Sequence, residues 1–431
     1  MVGVLTAPLK GYRYSLSIFI WTRVWHCVAL GTVTQSLIHT ISFFLTRGTF
    51  YLISLSTEDM YFTLPDLPGI CKDPFFPSFN PHYEAVASES KVWINNLGIL
   101  SGEKQRYFST SAFEFLAAHT YPYADREGYR TCCDYLNVTF LLDDYSDDEG
   151  GKGARQMADS FMNALRDPAW GDGTPFARMA RESVRSSSYK TPIILMRWNA
   201  LSRFRERLAP ASATARQRFI DTFDHYLNAT VCEAENREQG TILGLSDYLE
   251  LRRGNSGVYV AGALLECILS IDLQPEVFNH PALWNLTKIA GDMIFTANVS
   301  PKSYWKARLA TPNLTNLALQ DIYSYNKEQA NGHSANNLIT VIQHERGLGL
   351  QEAMDIAGDF FANCAEEFNT WKERLPSWSP EVDTAVSEYI KGMGACVRGY
   401  IEWSLTGPRY FGSSVQEVKK TRRVALAAKV G

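Results

Sequence analysis

The chain has almost no surplus of charge of either sign. Its 431 residues carry 42 Lys and Arg against 46 Asp and Glu, a formal net charge of −4. Nucleic-acid binders present a basic patch or stripe, so no nucleic-acid partner is expected. The eight Cys are scattered, and none stands in a CxxC or zinc-like spacing. Reduced thiols are therefore expected, not a disulfide framework or a structural zinc. No GxxxxGK[ST], GxGxxG or HExxH occurs, which sets aside the phosphate-loop, dinucleotide and HExxH-zinc chemistries that depend on those spacings. Strict apolar–polar alternation is scarce, and no internal repeat or Gly/Ser linker divides residues 60–431.

What is present is ordinary globular material, 45% apolar and 20% charged, in a chain long enough for a sizeable core. Residues 1–59 differ from the rest. Within them residues 13–55 are apolar and aromatic with almost no acids, and Arg23 and Arg47 bracket a stretch just long enough to cross a bilayer. Thr, Ser, Gln and His dilute it, and no clear cleavage site follows. A membrane anchor, a poorly packed extension and a misassigned start stay open; Met60 is a plausible native start. Any membrane association would run through residues 13–55, and the expected location is otherwise the cytoplasm.

From residue 60 onward the pattern is helical. Phe219, Phe223, Tyr226, Leu227 and Val231 form one stripe at 3.6-residue spacing, as do Leu286, Ile289 and Met293. "LQEAMDIAGDFFANCAEEFNTWKERL" is a further long amphipathic segment. Ser379-Pro380 reads as an N-cap followed by proline at the first helical position. One all-α domain over 60–431 is the expectation.

Four clusters carry polar chemistry. In "CCDYLNVTFLLDDYSDDEG" a helix that buries Leu136 and Phe140 delivers Asp143, Asp144 and Asp147 at its C-terminal end. Carboxylates there are disfavoured twice, by one another and by the helix dipole. A hard divalent cation relieves both, although an isolated DDxxD is more often a solvated acidic loop. Ser324 and Glu328 lie four apart in "DIYSYNKEQ", on one helical face. Arg252 and Arg253 precede a helix end expected near Gly257, and Arg409 and Tyr410 follow the last long helix. Arginine suits a diphosphate because its planar fork donates paired hydrogen bonds. Taken singly, each of these clusters is more often a solvated surface feature.

Taken in order, DDYSD at 143–147, RR at 252–253, DxxSxxxE at 321–328 and RY at 409–410 resemble the class I terpene cyclases, specifically the fungal sesquiterpene synthases of mushroom type. The likeness spans nearly all of residues 60–425. It implies a helical bundle around an apolar active-site cavity, farnesyl diphosphate as substrate, and a cluster of three Mg²⁺. Asp143, Asp147, Asn298, Ser324 and Glu328 would then hold metal, while Arg252, Arg253, Lys327, Arg409 and Tyr410 would bind the diphosphate. No catalytic group separate from these ligands and no obligate protein partner is implied. The reaction would be ionisation and cyclisation with release of diphosphate. A chain-elongating prenyltransferase would show a second Asp-rich motif where Ser324 and Glu328 stand.

One departure stands out. The family pattern opens on Asn, yet Gln320 precedes Asp321. Removing the 22 residues Val299–Gln320 joins Asn298 directly to Asp321 and gives a complete "NDIYSYNKE". The segment reads as a translated intron: it opens Val-Ser, closes on Gln, and corresponds to 66 nucleotides. Its rival is a natural insertion with Gln320 as ligand, and if the chain exists as written, cyclisation is expected to be weak or absent, a catalytically impaired relic. A second suspected insertion covers residues 184–201.

Overall fold

The structure is a computed structural model that describes residues 41–46, 49–54, 61–167, 169–181, 207–208, 210–294 and 319–429. Both suspected insertions and Asn298 lie outside the described residues, apart from the backbone of Leu319 and Gln320, where a helix starts. The chain divides into two compact units, Met1–Phe62 and Thr63–Gly431.

In the first unit, β1 (Ile41–Thr46) and β2 (Thr49–Ser54) pair antiparallel, with Ile41 opposite Ser54 and Thr46 opposite Thr49. The end of the apolar 13–55 stretch is therefore extended, not helical. Its β-branched and aromatic residues favour the pleated surface. Among the described residues no helix is long and apolar enough to cross a membrane.

The second unit is a bundle of helices. Those that build its centre are α1 (Phe113–Thr120), α2 (Arg126–Asp148), α3 (Ala213–Glu238), α4 (Leu245–Asn255), α5 (Val258–Ile268), α6 (Pro281–Ile294), α7 (Leu319–Ala330), α8 (Leu338–Arg346), α9 (Leu350–Glu373) and α10 (Pro380–Ser404). The expected stripes are the buried ones. Phe219, Phe223, Tyr226, Leu227 and Val231 face the core from α3, and Leu286, Ile289 and Met293 face it from α6. Local signals set the ends. Ser379 accepts a hydrogen bond from Val382 N–H with Pro380 in the first turn of α10, and Asp125 caps α2 through Gly128 N–H at 2.7 Å.

Helix α10 packs closely on α1, α3 packs on α4 and α5, and α6 packs on α9 and α10. The α1–α10 approach depends on Gly399, where an added Cβ would come within 2.6 Å of the backbone carbon of His119. Between α4 and α5 the chain turns at Gly257, with φ +72°. That left-handed conformation suits glycine. The carbonyl of Gly257 accepts the Tyr135 hydroxyl at 2.8 Å, which ties the break to the middle of α2.

Candidate active site

A cleft with about 620 Å³ of atom-free space, its mouth included, runs into the bundle beside α2. Its walls are mostly apolar and aromatic: Leu116, Tyr121, Tyr135, Phe140, Tyr226 and Tyr400 contribute, with Asn255 to Val258 from the helix break. Asp143 is the one carboxylate among the lining residues. Successive turns of α2 bring Tyr135, Leu136, Thr139, Phe140 and Asp143 to this one face, as a helical period requires.

Asp143 differs from its neighbours. Asp144 is paired with Arg409 at 3.1 Å and Asp147 with Arg237 at 3.1 Å, whereas Asp143 has no hydrogen-bond or ion-pair partner for its carboxylate among the described residues. Burial, and then the charges of Asp147 and Asp144, push its carboxyl up to about 7; Arg409 and Arg252 oppose the shift. Such a group binds a proton or a cation in preference to standing ionised and bare.

The second cluster is on α7. Asn337, at the start of α8, donates to Glu328 Oε2 at 2.9 Å and lies 3.4 Å from Ser324 Oγ. Burial raises the Glu328 carboxyl, and the nearby Asp321 raises it further. Asp321 itself is committed elsewhere. It accepts the Tyr248 hydroxyl, Arg252 Nη2 at 2.9 Å and Leu338 N–H at 2.9 Å, and is buried. Within the DxxSxxxE pattern, Asp321 therefore pins α7 to α4 and α8, leaving Ser324 and Glu328 one and two turns further along.

The structure separates the two neighbouring arginines. Arg252 is buried between Asp321 and Asn255, 2.9 Å from each, and its charge acts on both Asp143 and Glu328. Arg253 turns away to Asp292 at 3.1 Å and to Glu250, and it lines a different surface cavity. Adjacent residues on a helix point about 100° apart, so only one of them can serve this site. Arg409 is enclosed by rings, its guanidinium 4.9 Å from the centre of Phe140 and 5.1 Å from that of Phe113. The Tyr410 hydroxyl meets that of the cavity residue Tyr400 at 2.6 Å. Lys327 sits over Tyr107 at 5.1 Å, and its charge reaches Asp147. Arg252 Nε and Arg409 Nε are both buried without an acceptor among the described residues.

Sequence reasoning missed Glu233, Asn255 and Asn337. Glu233 is a carboxylate on α3, raised by burial and hydrogen-bonded by Asn255, which also receives Arg252. No spacing marked it, because α3 reads as an ordinary amphipathic helix. Asn337 carries a weak signal as the cap of α8, where it accepts Ile339 N–H at 2.9 Å.

The donor set is all oxygen: carboxylates, a hydroxyl and amides. That suits a hard divalent cation. Among the described residues no three His, Cys, Asp or Glu gather into a closed ligand set. Two open half-sites on α2 and α7 instead suit ions that keep water and phosphate oxygens as ligands. The orphaned guanidinium N–H groups fit an anion.

A helical bundle around a mostly apolar and aromatic cavity, with Asp143 among its described lining residues, is the class I terpenoid synthase fold. In solved structures, α-eudesmol synthase superposes with a TM-score of 0.60, covering 78% of this chain and 98% of that one at 21% identity. Residues 134–367 match the family described as terpene synthase family 2, C-terminal metal binding. Sesquiterpene synthase 2 of Postia placenta is 32% identical over 374 residues, 87% of this chain and 97% of that protein. A Coprinopsis cinerea protein named linoleate 10R-lipoxygenase is 35% identical over 366 residues, 85% and 93% of the two chains. The chain belongs to the terpene synthase family. It is accordingly a carbon–oxygen lyase of the kind that acts on prenyl diphosphates, and its matched domain is a metal-binding one.

Proposed function

We propose that the chain is a sesquiterpene synthase that ionises and cyclises farnesyl diphosphate with Mg²⁺. The observation that carries this is Asp143, a carboxylate without a partner among the described residues, lining a mostly apolar and aromatic cleft. Asp143 and Asp147 would hold metal from α2. Ser324 and Glu328 would hold it from α7, with Asn298 completing that half. When bound, a cluster of three Mg²⁺ neutralises the leaving diphosphate as a Lewis acid.

The chain's own groups supply the rest. Arg252, Lys327, Arg409 and Tyr410 would donate to the diphosphate, and the Nε–H groups of Arg252 and Arg409, which have no acceptor among the described residues, give them spare capacity. Departure of the diphosphate leaves positive charge on the allylic chain, which the rings of Phe140, Tyr135 and Tyr226 face. The apolar wall excludes water that would quench that charge.

The test is direct. Purified full-length protein incubated with farnesyl diphosphate and Mg²⁺ is expected to release diphosphate and a volatile sesquiterpene slowly, the Val299–Gln320 deletion to do so faster, as seen by headspace analysis, and neither to do so with excess chelator. Release of a longer prenyl diphosphate would make it a chain-elongating transferase instead. The expected cellular location is the cytoplasm.

A further inference from the structure

The short helix Gly102–Thr110, "GEKQRYFST", buries a single side chain, Phe108, whose ring centre lies 4.9 Å from that of Phe113. Adjacent side chains on a helix point about 100° apart, so the ring of Tyr107 cannot follow Phe108 inward. It is 38% exposed. On the same helix Lys104 pairs with Asp148, the last residue of α2. The helix therefore lies beside the acidic end of α2, and Tyr107 is a large ring there that the core does not use.

Two cations use it instead. Lys327 Nζ, from α7, is 5.1 Å from the ring centre, and the Arg409 guanidinium carbon is 5.7 Å from it. Both lie within the reach of a cation–π contact. The Tyr107 hydroxyl donates to the backbone carbonyl of Arg409 at 3.0 Å. Like charges drawn to one place repel, and the negative face of a ring offsets part of that repulsion. Among the described residues Lys327 has no hydrogen-bond or ion-pair partner, so its three N–H donors stay available. Its long flexible stem loses rotamer freedom when a ligand fixes it, and a ring that fixes it beforehand removes that cost from binding.

We infer that Tyr107 is a positioning residue for the diphosphate: its ring gathers the Lys327 ammonium and the Arg409 guanidinium, and its hydroxyl holds the main chain of Arg409. This rests on the farnesyl diphosphate reading above. Tyr107 itself need not touch the substrate. It joins α7 to the segment after α10, so the two cations meet the anion together and not one after the other. The ring contributes through its face, which leucine lacks and phenylalanine keeps.

The experiment measures the affinity of the full chain for inorganic diphosphate with Mg²⁺ by titration calorimetry at pH 8, so no turnover is needed. Tyr107→Leu is expected to weaken binding at least about fivefold, and Tyr107→Phe to restore it to within about twofold of wild type. In a Lys327→Met background the Tyr107→Leu change is expected to cost less than in the wild type, because one of the two cations is gone. The Tm without ligand is expected to move little in either Tyr107 variant, since the ring is largely outside the core. Equal affinity in all three chains overturns the inference. So does Tyr107→Phe binding as weakly as Tyr107→Leu, or an undiminished loss in the Lys327→Met background. A Tm lowered by more than about 5 °C in Tyr107→Leu assigns the ring to the fold and overturns it too. A wild-type chain that binds no diphosphate with Mg²⁺ overturns the functional reading first, whereas wild-type binding that Tyr107→Leu leaves unchanged overturns this inference alone.

Discussion

At the scale of single residues, the separation of Asp143 from its acidic neighbours has a consequence that titration can read. Burial and the charges of Asp147 and Asp144 push its carboxyl up to about 7, above the ordinary aspartate range. As pH rises from about 4 to 7 the unfolded chain therefore loses this proton first, and the stability the protonated carboxyl contributes below that window is lost across it. A metal ion binds only the ionised form, so it competes with the proton below 7 and not above. Mg²⁺ with inorganic diphosphate is thus expected to raise Tm more at pH 8 than at pH 6, and Asp143→Asn to remove part of that difference, because burial pushes the Asp147 and Glu328 carboxyls up to about 7 as well. Equal increments at both pH values in the wild type would contradict this. The acidic run was visible in the sequence; that Asp144 and Asp147 are answered by Arg409 and Arg237 while Asp143 is not was invisible, because both arginines are far away in the chain.

At the scale of elements, α7 is held in register by one buried carboxylate. Asp321 receives donors from α4 and from the start of α8, and its side chain and that of Arg252 are 1% and 8% exposed. Removing one partner of a buried pair leaves the other charge uncompensated, typically a loss of about 3–5 kcal/mol. Asp321→Ala is expected to lower denaturant stability by about that amount, with Asp321→Asn milder because its amide oxygen still accepts hydrogen bonds. A loss under about 1 kcal/mol for Asp321→Ala would mean that α7 is positioned by packing alone. The sequence placed Ser324 and Glu328 on one helical face from spacing. It did not reveal that the aspartate preceding them serves structure, since a motif records which residues recur together and not which way each is turned.

At the scale of the whole molecule, the question is whether Asn298 can reach the α7 half-site across residues 299–320. Deleting Val299–Gln320 makes Asn298 the immediate predecessor of Asp321. A misplacement of about 1 Å at a reacting centre can cost on the order of a hundredfold in rate. The shortened chain is therefore expected to release diphosphate from farnesyl diphosphate at least about tenfold faster than the full one. Equal rates would favour a tolerated natural insertion, and so would a transcript that retains these 66 nucleotides in an active protein.

The sequence by itself determined the helices and their buried stripes, because amphipathic spacing and caps are local and act within a few residues. Four polar clusters in a fixed order were enough to suggest the family. Only the tertiary structure decided between Arg252 and Arg253 and drew Glu233 and Asn337 to the site. Those outcomes depend on which groups meet between different helices, from 9 positions apart for Asn337 and Glu328 to 69 for Arg252 and Asp321, and such pairs are made between surfaces that no local pattern describes.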